Sequence, residues 1–436
     1  MKALHIHTPL HKSNFDMTYG LSRRFRKHPR LADFTLTDPG NTLCPLTLDL
    51  DKVGISCDSG FLSARYISRV RRFISLTPRF SRLKTIRLNT GKGLFISENV
   101  LLGLDMAVTR LPHLEKISMN SGESVFVVYK ELNKILDSIH KSRTLKHLKI
   151  GFLIKTAPNE GFPLDHEVWT GHPERTCDLT IGFSNQIDQG ILKRTLQGIR
   201  NVRNLVGLCL DLQRCKSIKS ESVDKICEML GELKGLKKLK MRFDEYNELY
   251  MRDIGKALKT IFEGEKLEKV EVIFGDFLGE AGGLLKEVKG LPLLKKLKIS
   301  GANLSEGFCE EMMRMIGECK RIEKIEVEVM RNMKMDQERF LNEMRDWSGK
   351  LKNLRDLKMI VNAMYTRKGG EKEEKEKLFM VELARVLRGF RSLRKAEMDC
   401  YSTPDYANFY LQGKVCEAFG KSRVCAQINS VKYNME

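Results

Sequence analysis

No G-x-x-x-x-G-K-[ST] loop occurs in the 436 residues, and neither H-E-x-x-H nor G-x-S-x-G is present. A phosphate-cradling P-loop is excluded at the level of motif, and no catalytic residue or cofactor is expected. The eleven cysteines never form a C-x-x-C pair, and Cys44, Cys57, Cys177, Cys209 and Cys215 illustrate how thinly they are spread. An odd number of isolated thiols fits reduced, mostly buried cysteine in an intracellular protein. No stretch approaches eighteen uninterrupted apolar residues, so no membrane span is expected. The N-terminus lacks the apolar run of a secretory signal. Residues 1–30 hold seven basic residues against one acid, Asp16, a bias shared with organelle transit peptides. Pro9, Pro29 and three early histidines, however, interrupt a simple amphipathic helix there. The expected location is the cytoplasm, with nucleus and organelle left open.

What the chain has in abundance is charge and aliphatic side chains. Charged residues make up 30% and apolar residues 42%, enough to build a core and to argue against wholesale disorder. The formal charge of +20 favours acidic partners: nucleic acid, an anionic membrane surface or an acidic protein. Basic and acidic residues are interleaved almost everywhere, so the excess is a net figure rather than a single block.

The organising pattern is an L-x-x-L-x-L frame, as in Leu236, Leu239 and Met241. Its first positions fall at Leu83, Leu114, Leu145, Thr176, Leu205, Leu236, Leu267, Leu294, Ile322, Leu354 and Leu393, about thirty residues apart. Fourth and sixth positions are apolar in nearly every frame, for example Leu148 with Ile150 and Leu208 with Leu210. The alternation Leu208-Cys209-Leu210-Asp211-Leu212 is the period of a half-buried strand. Leu46, Leu48 and Leu50 alternate in the same way. Between frames the period becomes helical: Leu132, Ile135, Leu136 and Ile139 form one stripe, and Val223, Ile226, Cys227 and Leu230 another. Ser220 or Ser222 and Ser305 stand where helix N-caps are needed. One strand plus one helix cannot bury its own apolar face, so such units must stack.

Frames and period together resemble leucine-rich repeats, closest to the long, helix-containing ribonuclease-inhibitor-like subtype. The resemblance covers about Leu83 to Met398. It implies an α/β solenoid with a parallel strand layer on the concave side and helices on the convex side. The sequence departs from the family at the ninth position, where Asn or Cys normally satisfies backbone amides; that column reads Gly91, Gly122, Leu153, Gln213, Asp244, Gly275, Ala302 and Met330. Armadillo and TPR arrays share the period, but all-helical repeats do not explain the alternation. The expected organisation is an irregular basic segment over 1–45, a solenoid of about 11–12 repeats over 46–399 and a cap over 400–436 carrying Tyr401, Tyr406, Phe409 and Tyr410.

Two places break the array. Residues 152–175 carry Pro158, Gly161, Pro163, Gly171 and Pro173 in place of a helical stripe, with His166 and Trp169 among them. This stretch reads as a binding loop or as a decayed repeat whose Trp169 plugs the core. The second break holds the charged run Arg367–Lys377.

In such repeats the third and fifth frame positions project from the strand face. The candidate partner-binding residues there are Arg87, Lys116, Lys149, Lys238, Lys240, Lys269, Lys296, Lys298 and Lys358. Lys238, Lys240, Lys296 and Lys298 are expected to form a basic patch, which Glu271, Glu326 and Glu397 interrupt. Aromatic residues are almost missing from these columns, so nucleic-acid bases find no stacking platform. His5, His7 and His11 lack cysteine or acidic company, and no metal site is expected. The function these features imply is a non-enzymatic intracellular scaffold or adaptor for another protein with an acidic surface. A ribonucleoprotein component binding RNA backbone, and a substrate adaptor or regulator of an enzyme such as a ubiquitin ligase, are the alternatives.

Overall fold

The structure, a computed structural model of the whole chain, describes strand backbone at 3–7, 33–37, 46–49, 52–57 and 85–90 and isolated residues at 105, 108, 109, 164 and 218. It further describes 114–121, 129–154, 174–183, 189–213, 220–243, 251–274, 291–302, 306–330, 337–361, 371–400 and 425–427. His166 and Trp169 lie outside the described residues. The chain divides into two compact units, Met1–Asp211 and Leu212–Glu436.

In the first unit the described strands are β1 (Ala3–His7), β2 (Asp33–Thr37), β3 (Leu46–Asp49), β4 (Lys52–Cys57), β5 (Thr85–Thr90), β6 (Lys116–Ser121), β7 (His147–Ile154), β8 (Thr176–Phe183) and β9 (Leu205–Leu212). They pair in chain order. Every pairing is parallel except at β3, which runs antiparallel to both β2 and β4. Helices α1 (Tyr129–Lys141) and α2 (Gln189–Asn201) cover this sheet, with Ile135, Leu136 and Ile139 of α1 fully buried.

In the second unit, strands β10 (Lys238–Phe243), β11 (Lys269–Ile273), β12 (Lys296–Ala302), β13 (Lys324–Met330), β14 (Asp356–Val361), β15 (Lys395–Cys400) and β16 (Cys425–Gln427) pair in order and all in parallel. Helix α3 (Ser220–Glu232) precedes β10, and between the strands run α4 (Met251–Phe262), α5 (Glu306–Gly317), α6 (Gln337–Lys350) and α7 (Glu371–Arg388). Parallel strands need a crossover, and here a helix supplies it wherever one is described. The frame's fourth and sixth positions fill the space between layers: Leu239, Met241, Val270, Val272, Leu297, Ile299, Ile325, Val327, Leu357 and Met359 are all buried. Each such side chain contributes about 1.5–3 kcal/mol of burial. Trp347 of α6 is fully buried, and its indole Nε1 donates to Met313 O at 2.8 Å. Ser220 heads α3, and its hydroxyl donates to Asp253 of α4 at 2.7 Å.

A fork of backbone hydrogen bonds sets the register. The second-position carbonyl of one frame accepts the second- and third-position amides of the next. Glu115 O takes Lys146 N and His147 N; Glu268 O takes Lys295 N and Lys296 N; Arg355 O takes Arg394 N and Lys395 N. The same fork recurs at Lys237, Lys295 and Glu323, with distances between 2.8 and 3.0 Å. Side chains reinforce it one residue before the frame: Thr144 Oγ1 donates to Leu114 O, Asn353 Nδ2 to Lys320 O and Ser392 Oγ to Lys352 O. These bonds tie the turn before each strand to its neighbour, in addition to the ladder along the strands. Strand–helix repeats in one register, with apolar frame positions facing the helices, make this a leucine-rich-repeat-like α/β solenoid fold.

The frame placed at Thr176 needs correction. Thr176 pairs with His147, so against β7 the strand β8 is shifted by two residues from that frame, and Cys177 lies beside Leu148. An even shift keeps the same side chains on the core side, which is why the apolar pattern did not reveal it. A register irregularity between Cys177 and Asp178 then aligns Leu179 with Leu208.

Candidate functional site

The strands alternate, so third, fifth and seventh frame positions stand on the sheet face opposite the helices. In the second unit the third-position row reads Lys238, Lys269, Lys296, Lys324, Asp356 and Lys395 on six neighbouring strands. The fifth-position row reads Lys240, Glu271, Lys298, Glu326, Lys358 and Glu397. The first row holds five lysines against one aspartate. The second alternates strictly in sign.

That alternation is realised as contacts. Lys240 Nζ lies 2.5 Å from Glu271 Oε1, and Lys298 Nζ lies 2.5 Å from Glu326 Oε1. Glu328, at the seventh position of β13, binds Lys298 at 3.3 Å and Lys358 at 2.9 Å, bridging three strands. Burial works against the Lys298 ammonium, but Glu326 and Glu328 outweigh it and hold its pKa above the ordinary lysine value. Burial likewise pushes Glu328 up, and Lys358 and Lys298 outweigh it, holding the carboxyl below the ordinary carboxylate range.

The four lysines expected to act together therefore separate. Lys240 and Lys298 belong to the neutralised ladder with Lys358, whereas Lys238 and Lys296 stand in the basic row with Lys269 between them. Lys238, Lys269 and Lys296 are exposed. Lys324 completes the run, half-buried and 3.8 Å from Glu326. Lys324 and Lys395 were readable in the third column; their weight becomes visible only when the rows are aligned.

In the first unit Lys116 shares the third row with Thr85 and His147, and Arg87, Ser118 and Lys149 share the fifth. Lys149 has Asp178 as its register neighbour on β8. His147 Nδ1 is hydrogen-bonded to Thr176 Oγ1 at 2.6 Å, and its Nε2 lies 3.5 Å from Asp178 Oδ2. Asp178 presses over Gly207, where an added Cβ would stand 2.2 Å from its Oδ1. These contacts fix a polar cluster, not a cationic patch.

Sequence reasoning missed two buried residues in the 152–175 break. Leu164 is buried, and a Cβ on Gly198 of α2 would fall 2.5 Å from the Leu164 Cβ, so the glycine admits that side chain. Arg175 is buried and donates to Leu145 O, Ile139 O and Ser142 O at 3.0–3.1 Å, satisfying carbonyls at the end of α1. Burial pulls its guanidinium down to about 10, and it stays charged at neutral pH. A leucine in a Pro/Gly-rich stretch and an arginine before a strand carry no signal of burial.

Among the described residues no group of three His, Cys, Asp or Glu is placed to hold a metal ion, and no helix is long and apolar enough to cross a membrane. Cys177, Cys209, Cys227, Cys309 and Cys319 are free, and Cys309 and Cys319 are fully buried core thiols. Burial pushes the Cys319 thiol up to about 12 and raises Cys177 and Cys227, so all three are poor nucleophiles.

No family model and no curated protein matches this chain. Similar solved structures include a chain of the Drosophila Toll–Spatzle complex, a molecular hub in development and innate immunity. It is 9% identical across 90% of this chain and 56% of its own length, with a TM-score of 0.33. A chain of the mouse RP105/MD-1 complex is 8% identical across 81% of this chain and 75% of its own, with a TM-score of 0.17. This chain thus spans little more than half of the Toll-complex chain.

Proposed function

We infer that this chain is a non-enzymatic intracellular scaffold that holds another protein, one with an acidic surface, against the helix-free sheet face of its second unit. The observation carrying this reading is the third-position row, five lysines against one aspartate on adjacent strands. A rigid parallel sheet displays those charges at fixed spacing, which steers an acidic partner and fixes its register. Buried, protonated thiols and the missing catalytic motifs support a binding role.

The test is capture from native lysate, with and without nuclease, comparing the wild type with a variant in which Lys238, Lys269, Lys296 and Lys324 are all changed to Glu. Proteins retained after nuclease and lost from the variant are the expected result. An unchanged set of retained proteins overturns the reading.

A further inference from the structure

The two outward rows of the second unit are built on different rules. The fifth row alternates in sign and closes on itself through the Lys240–Glu271 and Lys298–Glu326 pairs. Solubility of a sheet face needs no more than that. The third row places Lys238, Lys269, Lys296 and Lys324 on four consecutive strands with no acid between them in the row. Like charges on neighbouring strands are unfavourable, and nothing in the repeat geometry requires them.

We propose, on the footing of the scaffold reading above, that this row seats an acidic α-helix of the partner protein, laid across β10–β13 near the N-terminal ends of the strands. Spacing selects the helix. Adjacent strands are about 4.8 Å apart, so the four lysines span about 14 Å. A helix rises about 5.4 Å per turn, so carboxylates at i, i+3 or i+4, and i+7 fall nearly in step with the lysines over about ten residues. An extended acidic segment presents same-face side chains about 6.8 Å apart and slips out of step after one strand. Nucleic acid fits less well: Glu271 and Glu326 stand in the neighbouring row, and neither row offers an aromatic ring for a base.

The test uses the full chain and a fluorescent, hydrocarbon-stapled helical peptide carrying glutamate at i, i+4, i+7 and i+11. A proline-containing peptide of the same composition and a single-stranded RNA serve as competitors. The stapled helix binds in a salt-sensitive manner. Its Kd rises at least about tenfold when Lys269, Lys296 and Lys324 are changed to Glu. It is unmoved by the charge-matched changes Lys193→Glu, Lys259→Glu and Arg314→Glu on the helix layer. Equal binding of the proline-containing peptide, tighter binding of RNA, or equal weakening by both triple variants overturns the proposal. Native partners that are lost from the sheet-face variant while the stapled helix fails to bind would sink the helix and leave the scaffold standing. Partners indifferent to every sheet-face change would sink both.

Discussion

Replacing Glu328 by Gln tests whether the charge ladder is a structural element of the second unit. The Glu328 carboxylate is only 18% exposed and takes Lys298 at 3.3 Å from one side and Lys358 at 2.9 Å from the other. Glutamine keeps the size and removes the charge, so two partly buried ion pairs are lost together. Each is worth about 0.2–1 kcal/mol, giving a destabilisation of about 1 kcal/mol. In a unit of roughly 200 residues this lowers the midpoint of thermal unfolding by about 2–4 °C. Chemical denaturation of the full chain, followed by far-UV circular dichroism, reads the same loss as a shift in midpoint.

The pH dependence separates charge from packing. Glu328 has a folded pKa below its unfolded value, so its stabilisation is complete above the unfolded carboxylate value of about 4.3. It is lost as pH falls through the depressed folded value. The gap between wild type and Glu328→Gln is therefore full at pH 7 and closes under acid conditions. In a background where Lys298 and Lys358 are both methionine, the change should be nearly neutral. A variant as stable as wild type at pH 7, or a gap of the same size in acid, refutes the reasoning.

Two further outcomes probe the core. Trp347→Ala empties a fully buried site and removes the indole hydrogen bond to Met313 O, so it costs about 3–5 kcal/mol and is expected to unfold the second unit first, as read by limited proteolysis. Cys309 and Cys319 are fully buried, and the Cys319 thiol is pushed up to about 12, so neither reacts with a thiol reagent at pH 8 until denaturant is added; rapid labelling of the native protein would contradict the packing.

The fold was legible because burial dictates it. Fourth and sixth frame positions must be apolar for a strand to meet a helix layer, and Leu239 with Met241 or Ile325 with Val327 declare this without ambiguity. Strand direction is another matter. Apolar alternation at Leu46 and Leu48 reads the same in either sense, so nothing announced that β3 runs against its neighbours. The register at Thr176 was hidden for a related reason. The slot two residues before it holds exposed Glu174, and an even shift leaves the apolar pattern intact. Trp169 attracted attention by its size and lies outside the described residues, among which Leu164 and Arg175 are the buried side chains of that stretch.

The candidate site was legible as a list of lysines and not as an arrangement. Whether a lysine steers a partner or closes a ladder depends on what the adjacent strand places beside it, about thirty residues away. Lys238 and Lys240 are two residues apart, yet one neighbours Lys269 and the other Glu271. The turn cations show how context decides the reading. Lys234, Lys266, Lys320 and Lys352 follow the C-termini of α3, α4, α5 and α6, where backbone carbonyls form the negative end of each helix. Positive charge there has a structural cause. The third row stands on the face away from the helices, so that cause does not reach it. The helix ends do not account for Lys238, Lys269 and Lys296, which is why the proposed partner site is placed on their row.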